Sequence, residues 1–167
     1  MAEGTRTIAI DANVLINFMH IGQLDRLAQL PGLDPAVPAE VAAEVSDPHQ
    51  EITLRFALEA GTLGRAAVSG TEELAAYAEQ TRRLGKGESA CLAIASARGW
   101  CLASDEKRFF RRTAIEMLGE PRLFTTPDLI VQLIGAGVTT ISEADEWKAR
   151  LAERRFRMNF ESFAEFF

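Results

Sequence analysis

The chain has 167 residues, a formal net charge of −6, 47% hydrophobic and 25% charged residues, and two cysteines, Cys91 and Cys101. That length fits one domain burying roughly 70% of its unfolded surface, and two cysteines cannot build a disulfide framework. The acidic balance argues against non-specific coating of DNA, and a polar amino end, Met1 to Arg6, leads into an apolar run broken by Asp11 and Asn13. Such a run is neither a signal peptide nor a membrane span, so a soluble cytoplasmic protein is the expectation.

Thr7 to Ile10 is a short apolar, partly β-branched run, read as a buried strand that stops at Asp11. Val14, Leu15 and Phe18 follow at helical spacing, and Leu24, Leu27, Ala28 and Leu30 continue an apolar stripe towards Pro31-Gly32. Ala36-Val37 reads as a second strand, and Pro38 suits a first helical position ahead of Val41 and Val45. Asp47-Pro48 ends that helix. His49 to Ala60 predicts another, stopped by Gly61, before a strand at Arg65 to Val68. Thr71 looks like the N-cap of a helix running to Leu84-Gly85. From Gly87 to Gly99 a helix carries small residues at Ala90 and Ala97, spaced to let it sit close to a sheet, and Gly99 closes it.

Trp100 to Ala103 is a compact strand with Ser104-Asp105-Glu106 at its carboxyl end. A helix from Lys107 to Leu118, a strand at Leu123-Phe124 and a helix opened by Thr126-Pro127 follow. Ser142 is read as the cap of a last helix. The alternation predicts an α/β fold: a three-layer sandwich with a short, mostly parallel central sheet flanked by helices. It is read as a single domain over 1–167, with 142–167 a helical carboxyl-terminal extension.

In an open parallel sheet, ligands bind outside the carboxyl ends of the strands, near a topological switch point. Asp11 follows one strand end, and Asp105 with Glu106 follows another. Glu44 projects from the Pro38 helix one turn beyond Glu40, and Glu88 lies in the first turn of the Gly87 helix. Each alone has an ordinary explanation as a helix-dipole complement, a turn former or a solvated acid. If they converge, they repel, and something positive must share the site. Oxygen-only donors select Mg²⁺ or Mn²⁺; two histidines, His20 and His49, and unspaced cysteines argue against zinc. A carboxylate-held Mg²⁺ suits phosphodiester hydrolysis, because it acidifies water and offsets charge on the departing oxygen.

Together the four acidic stations resemble a known family. Asp11-Ala-Asn13-Val-Leu-Ile is similar to the opening of PIN-domain ribonucleases, and Pro38-Ala-Glu-Val41-Ala-Ala-Glu44 to their Pro-x-x-Val-x-x-Glu segment, which selects Glu44 over Glu40. Gly87-Glu88-Ser-Ala-Cys-Leu-Ala-Ile-Ala resembles their Gly-Glu helix, and Leu102-Ala-Ser-Asp105-Glu106-Lys107 their closing Thr-Asp-Asp turn. The matches come in family order and span Asp11 to about Arg112. The resemblance implies a Mg²⁺- or Mn²⁺-dependent endoribonuclease of the VapC toxin type, leaving 5′-phosphate and 3′-hydroxyl ends. It implies Asp11, Glu44, Glu88 and Asp105 as the acidic centre, with Asn13 bracing Asp11 or touching the metal-bound network. Glu106 stands where the family has a second Asp, so either Asp105 or Glu106 is the fourth ligand. The implied partners are an RNA substrate, a cognate antitoxin and a second copy of the chain.

Lys107, Arg108, Arg111 and Arg112 follow the fourth station and are placed to meet the RNA backbone, which positions a substrate without specifying sequence. Phe156, Phe160 and Phe163 fall at helical spacing and read either as a helix packed on the core or as a partner surface. The alternative function is a PIN-like RNA- or protein-binding module with a weakened site, kept open by the Asp105-Glu106 pair. A receiver or dehalogenase-like phosphatase also places Asp at a strand end, but Asp11-Ala-Asn13 lacks their acidic partners.

Overall fold

Ile8, Ala9 and Ile10 suit a strand covered on both faces. In the computed structural model, which describes residues 4–167, they lie within β1 (Arg6–Ile10) at the centre of the sheet. Of the polar amino end, Met1, Ala2 and Glu3 fall outside the described residues. The other strands are β2 (Leu33–Pro38), β3 (Gly64–Ala66), β4 (Cys101–Ala103) and β5 (Leu123–Phe124). Their order is β3-β2-β1-β4-β5, and every pairing is parallel rather than most of them. The chain runs from β1 outward through β2 and β3, then crosses back to β4 and β5. The strand order therefore reverses between β1 and β4, where Ile10 lies opposite Ala103.

Among the described residues, eight helices flank this sheet: α1 (Ala12–His20), α2 (Ala39–Glu44), α3 (Pro48–Glu59), α4 (Gly70–Gln80), α5 (Lys86–Arg98), α6 (Phe109–Leu118), α7 (Thr126–Gly135) and α8 (Ile141–Glu153). Asp47 caps α3 by accepting from the His49 and Gln50 amides, and Thr125 and Asp128 cap α7 reciprocally. Several boundaries differ from the sequence reading. Pro38 closes β2 instead of opening a helix, α4 starts behind Ser69 rather than Thr71 and stops at Gln80, and α8 is capped by Thr140 rather than Ser142. Leu24–Gln29 winds as a 3₁₀ turn.

Helix α5 is the centre of the packing. Ala90, Cys91, Leu92, Ala93, Ile94 and Ala95 are all fully buried, and the helix touches β1, β2 and β4 with α4 and α6 beside it. The alanines permit that close approach. Its carboxyl end is closed by Gly99 at φ 68° and by the Arg122 guanidinium, which donates to the carbonyls of Ala95 and Trp100 at 2.6 and 2.8 Å. Cys91 and Cys101 are buried free thiols, and burial pushes both above the usual cysteine range. Among the described residues no helix is long and apolar enough to cross a membrane.

The helical spacing of Phe156, Phe160 and Phe163 is not realised as a helix. Helix α8 stops at Glu153, Arg155 takes φ 66°, and the chain then runs irregularly to a 3₁₀ turn at Phe163–Phe166. Polar anchors fix this tail: Asp145 of α8 accepts from the Ser162 hydroxyl at 2.6 Å and from the Phe163 amide at 2.8 Å. Phe163 is fully buried, and its ring meets Phe160 edge-on at 4.9 Å. The tail thus packs on the core as an anchored loop. Phe163→Ala should lower stability to urea by about 3–5 kcal/mol. Phe167→Ala, at a side chain 62% exposed, should change it by less than about 0.5 kcal/mol. A silent Phe163→Ala would show that the tail contributes nothing to the fold.

Candidate active site

Asp11 and the Ser104-Asp105-Glu106 loop meet because β1 and β4 are adjacent and end together; the Asp11 amide continues the ladder by donating to the Ala103 carbonyl at 3.0 Å. The Asp11 side chain is only 2% exposed. One of its oxygens accepts from the Ala12 amide at 2.8 Å and the other from the Ser104 hydroxyl at 2.9 Å. Ser104 in turn accepts from the Glu106 amide at 3.2 Å, so one hydroxyl links Asp11 to the next acid. Asn13 grips the same loop from α1: it donates to Glu106 Oε1 and accepts from the Asp105 amide, both at 3.2 Å. Asn13 therefore braces the loop carrying Glu106 rather than Asp11.

Glu44 reaches this place from the last turn of α2 and rests on the amino end of α5, where the Gly87 amide donates to its Oε1 at 2.8 Å. Exposed amides and the helix dipole favour a carboxylate there. Gly87 is needed for the approach: a Cβ at that position would stand 2.6 Å from Glu44 Oε1 and 2.7 Å from Oε2. Glu88 is the next residue of α5.

Burial, above all, pushes Asp11 from the usual 3.8 up to about 6; its two hydrogen bonds oppose this, and Glu44 and Glu106 add to it. Glu88 is pushed from 4.5 up to about 7 by burial first, then by Asp11, Glu106 and Glu44. These four carboxylates thus form one repelling group. Glu40 is not among the charges acting on Asp11 or Glu88.

Asp105 is placed otherwise. One oxygen accepts from the Thr126 amide at 2.7 Å, and the other from the Thr126 hydroxyl at 2.5 Å and from Asn17 Nδ2 at 2.9 Å. Its carboxylate faces the first turn of α7, tying the β4 loop to α7 and α1, while Glu106 faces the acids. Burial raises the Asp105 pKa, and the Thr126 and Asn17 hydrogen bonds counter it. The sequence reading missed Ser104, Asn17 and Thr126. Asn17 carried a signal, because it sits one helical turn beyond Asn13 on the buried face of α1.

The donor set suits a hard divalent cation. It is all oxygen, and none of the four carboxylates forms an ion pair among the described residues, whose pairs are Arg26–Glu143, Arg82–Glu79, Arg98–Glu73 and Arg111–Glu120. No three acidic, histidine or cysteine side chains among the described residues already stand in a group that could hold a metal ion. A cation bound among them would offset the mutual repulsion of Asp11, Glu44, Glu88 and Glu106. Beside them, Lys107 and Arg111 line a cleft that opens at Glu106. Arg108, at φ 57°, begins the turn into α6, and Arg112 is exposed on that helix.

A family model described as a PIN domain, DUF3368, matches residues 7–161. A comparison with curated proteins gives no match. Among solved structures, the fold is similar to VapBC2 from Rickettsia felis bound to a DNA fragment from its promoter. That likeness has 16% identity and a TM-score of 0.47, covering 71% of this chain and 96% of that one. It is too distant to add to the family match.

The two neighbouring acids of the β4 loop should separate experimentally. Asp105→Ala strands the Thr126 and Asn17 donors and should destabilise the protein by about 2–4 kcal/mol, whereas Glu106→Gln should leave the urea midpoint nearly unchanged. Equal loss in both would show that Glu106 is structural too. A second prediction concerns pH. Asp11 and Glu88 hold protons more tightly in the folded protein than in the unfolded chain. Their share of stability is complete below about pH 4 and is lost as pH rises through about 6 and about 7. Without divalent ions, Asp11→Asn should therefore be more stable than the parent above pH 7, by roughly 1–3 kcal/mol, with the gain shrinking by pH 5. A parent that stays the more stable above pH 7 would contradict the burial cost assigned to Asp11.

Proposed function

The chain belongs to the PIN-domain family, and we propose that it is a divalent-cation-dependent endoribonuclease of the VapC toxin type, acting in the cytoplasm. The observation that supports this best is the gathering of Asp11, Glu44, Glu88 and Glu106, unpaired by any cation among the described residues, at the point where the strand order reverses. Asp11, Glu88 and Glu106 would hold Mg²⁺ or Mn²⁺, with Glu44 completing the acidic centre from the amino end of α5. When bound, the ion supplies Lewis-acid chemistry, lowering the pKa of water and offsetting charge on the departing oxygen.

The chain's own residues prepare the place for that chemistry. Ser104 and the Ala12 amide hold both oxygens of Asp11 in one orientation. Asn13 sets Glu106, and the Gly87 amide sets Glu44. Asp105 is a positioning residue, fixing the loop between them through Thr126 and Asn17. Lys107 and Arg111 line the cleft at Glu106, Arg108 and Arg112 follow at the start of α6, and these four cations would position an RNA backbone despite the net charge of −6. The toxin assignment, the antitoxin partner and the homodimer follow from the motif resemblance, and a small adjoining reading frame encoding a DNA-binding protein would support them.

Asp11→Asn should abolish Mg²⁺-dependent cleavage of RNA and carboxylate-dependent Mn²⁺ binding by calorimetry, with the melting profile unchanged or raised. A parent protein that binds no Mn²⁺ would leave the other reading, a PIN-like binding module. Affinity for Mn²⁺ should weaken as pH falls below about 7 and again below about 6, as protons compete for Glu88 and Asp11. Gly87→Ala tests the geometry separately. The three nearest atoms that the new methyl meets belong to the movable end of Glu44, so the fold should tolerate it, within about 1 kcal/mol, while cleavage falls because Glu44 is displaced. Full activity in Gly87→Ala would remove Glu44 from the centre.

A further inference from the structure

A cleft of about 410 Å³ opens beside Glu106, between the β4 loop, the start of α7 and the carboxyl-terminal tail. Its volume falls within the range of small-ligand sites. Two kinds of surface meet in it. The tail contributes Phe156 and Phe160, flat and apolar, with Asn159 between them, and the rim carries Lys107, Arg111 and Arg157 alongside the carboxylates of Asp105 and Glu106. Arg157 makes no ion pair among the described residues, and the partner of Arg111, Glu120, lies 3.6 Å away on an exposed side chain. A ligand that joins a flat ring to an anion satisfies both surfaces at once, and a nucleotide does so.

From this juxtaposition of an aromatic wall, a cationic rim and the acidic centre, we infer that the cleft binds one nucleobase next to the scissile phosphate. Phe156 and Phe160 supply the stacking surface, and Asn159 reads the base edge. The inference rests on the nuclease reading and adds to it the residues that set sequence preference. The charge argues for nucleic acid as occupant, since Lys107, Arg111 and Arg157 outnumber the Asp105 and Glu106 carboxylates of the same lining and complement a polyanion. The wall is set in advance: Phe160 packs edge-on against Phe163 at 4.9 Å, Lys148 Nζ stands 5.8 Å from its ring centre, and Asp145 ties the segment to α8. Little ordering is then left to offset on binding. An amide side chain offers both a donor and an acceptor, so it distinguishes bases that stacking alone accepts equally.

The test uses the full chain. RNA oligonucleotides with randomised positions are cut in Mn²⁺ and the new ends sequenced, for the parent, Asn159→Ala, Phe160→Leu and Arg157→Ala. In parallel, a short fluorescent single-stranded RNA is titrated against the same variants carrying Asp11→Asn. The parent should prefer one base at a position flanking the cut, and Asn159→Ala should lower that preference about three- to tenfold, the worth of one neutral hydrogen bond. Phe160→Leu keeps an apolar side chain of similar bulk but loses the ring and its edge-on contacts with Phe163 and Phe166, and should weaken RNA affinity about tenfold. Arg157→Ala should weaken all sequences alike. If the parent cuts no RNA, the nuclease reading falls, and the titration alone decides the cleft: affinity lost in Phe160→Leu and Arg157→Ala sustains it. Unchanged preference, or unchanged affinity in folded variants, overturns it and leaves the cleft to a protein segment. Should Phe160→Leu not fold, the variants at the exposed Asn159 and Arg157 decide between these outcomes.

Discussion

The parallel pairing of β1 with β4 is the constraint from which the rest follows. The two strands are far apart in sequence, and Ile8, Ala9 and Ile10 lie opposite Cys101, Leu102 and Ala103. That register brings the Asp11 carboxylate within 2.9 Å of the Ser104 hydroxyl. A slip of one residue would turn Asp11 to the opposite face and separate it from the loop that carries Glu106. The crossover that places β4 beside β1 also makes the strand-end crevice into which α2 and α5 deliver their acids.

Close packing and charge oppose one another at that crevice. Helix α5 lies against three strands because most of its buried residues are small, Ala90, Ala93 and Ala95 with Gly87, Ser89 and Cys91, and its amino end comes near enough to α2 for a backbone amide to hold Glu44. Burial first, and the neighbouring acids second, raise the proton affinity of Asp11 and Glu88. The fold tolerates this because three of the carboxylates sit on donors: Asp11 on Ala12 and Ser104, Glu44 on Gly87, Glu106 on Asn13. Hydrogen bonds of this kind aim the oxygens without neutralising them, so the repulsion among the acids persists.

Much of this was legible in the chain. Strand runs ending in acids, a Gly-Glu pair opening a helix and alternation of strand with helix pointed to the α/β sheet and to Asp11 and Glu88, because those signals are local, whereas Glu44 was told from Glu40 only by the motif resemblance. The choice between Asp105 and Glu106 was not local. It depends on Thr126 and Asn17, far away in sequence, capturing one carboxylate and leaving its neighbour for the acids. The tail misled for another reason. Phe156, Phe160 and Phe163 repeat with helical period, but Arg155 turns the chain and Asp145 anchors Ser162 and Phe163, so Phe163 is buried from a loop while Phe156 and Phe160 stay half-buried at the cleft. Periodicity reports which side chains seek the interior, and several backbone paths satisfy it.

The buried thiols have a practical corollary. Cys91 and Cys101 are sealed inside α5 and β4 and hold their protons more firmly than free cysteine does, so alkylating reagents meet little thiolate while the protein stays folded. A cysteine introduced on the surface would therefore react with a maleimide dye well ahead of the native pair. Spectroscopic labels could be attached at chosen points around the molecule with the wild-type interior left as it is.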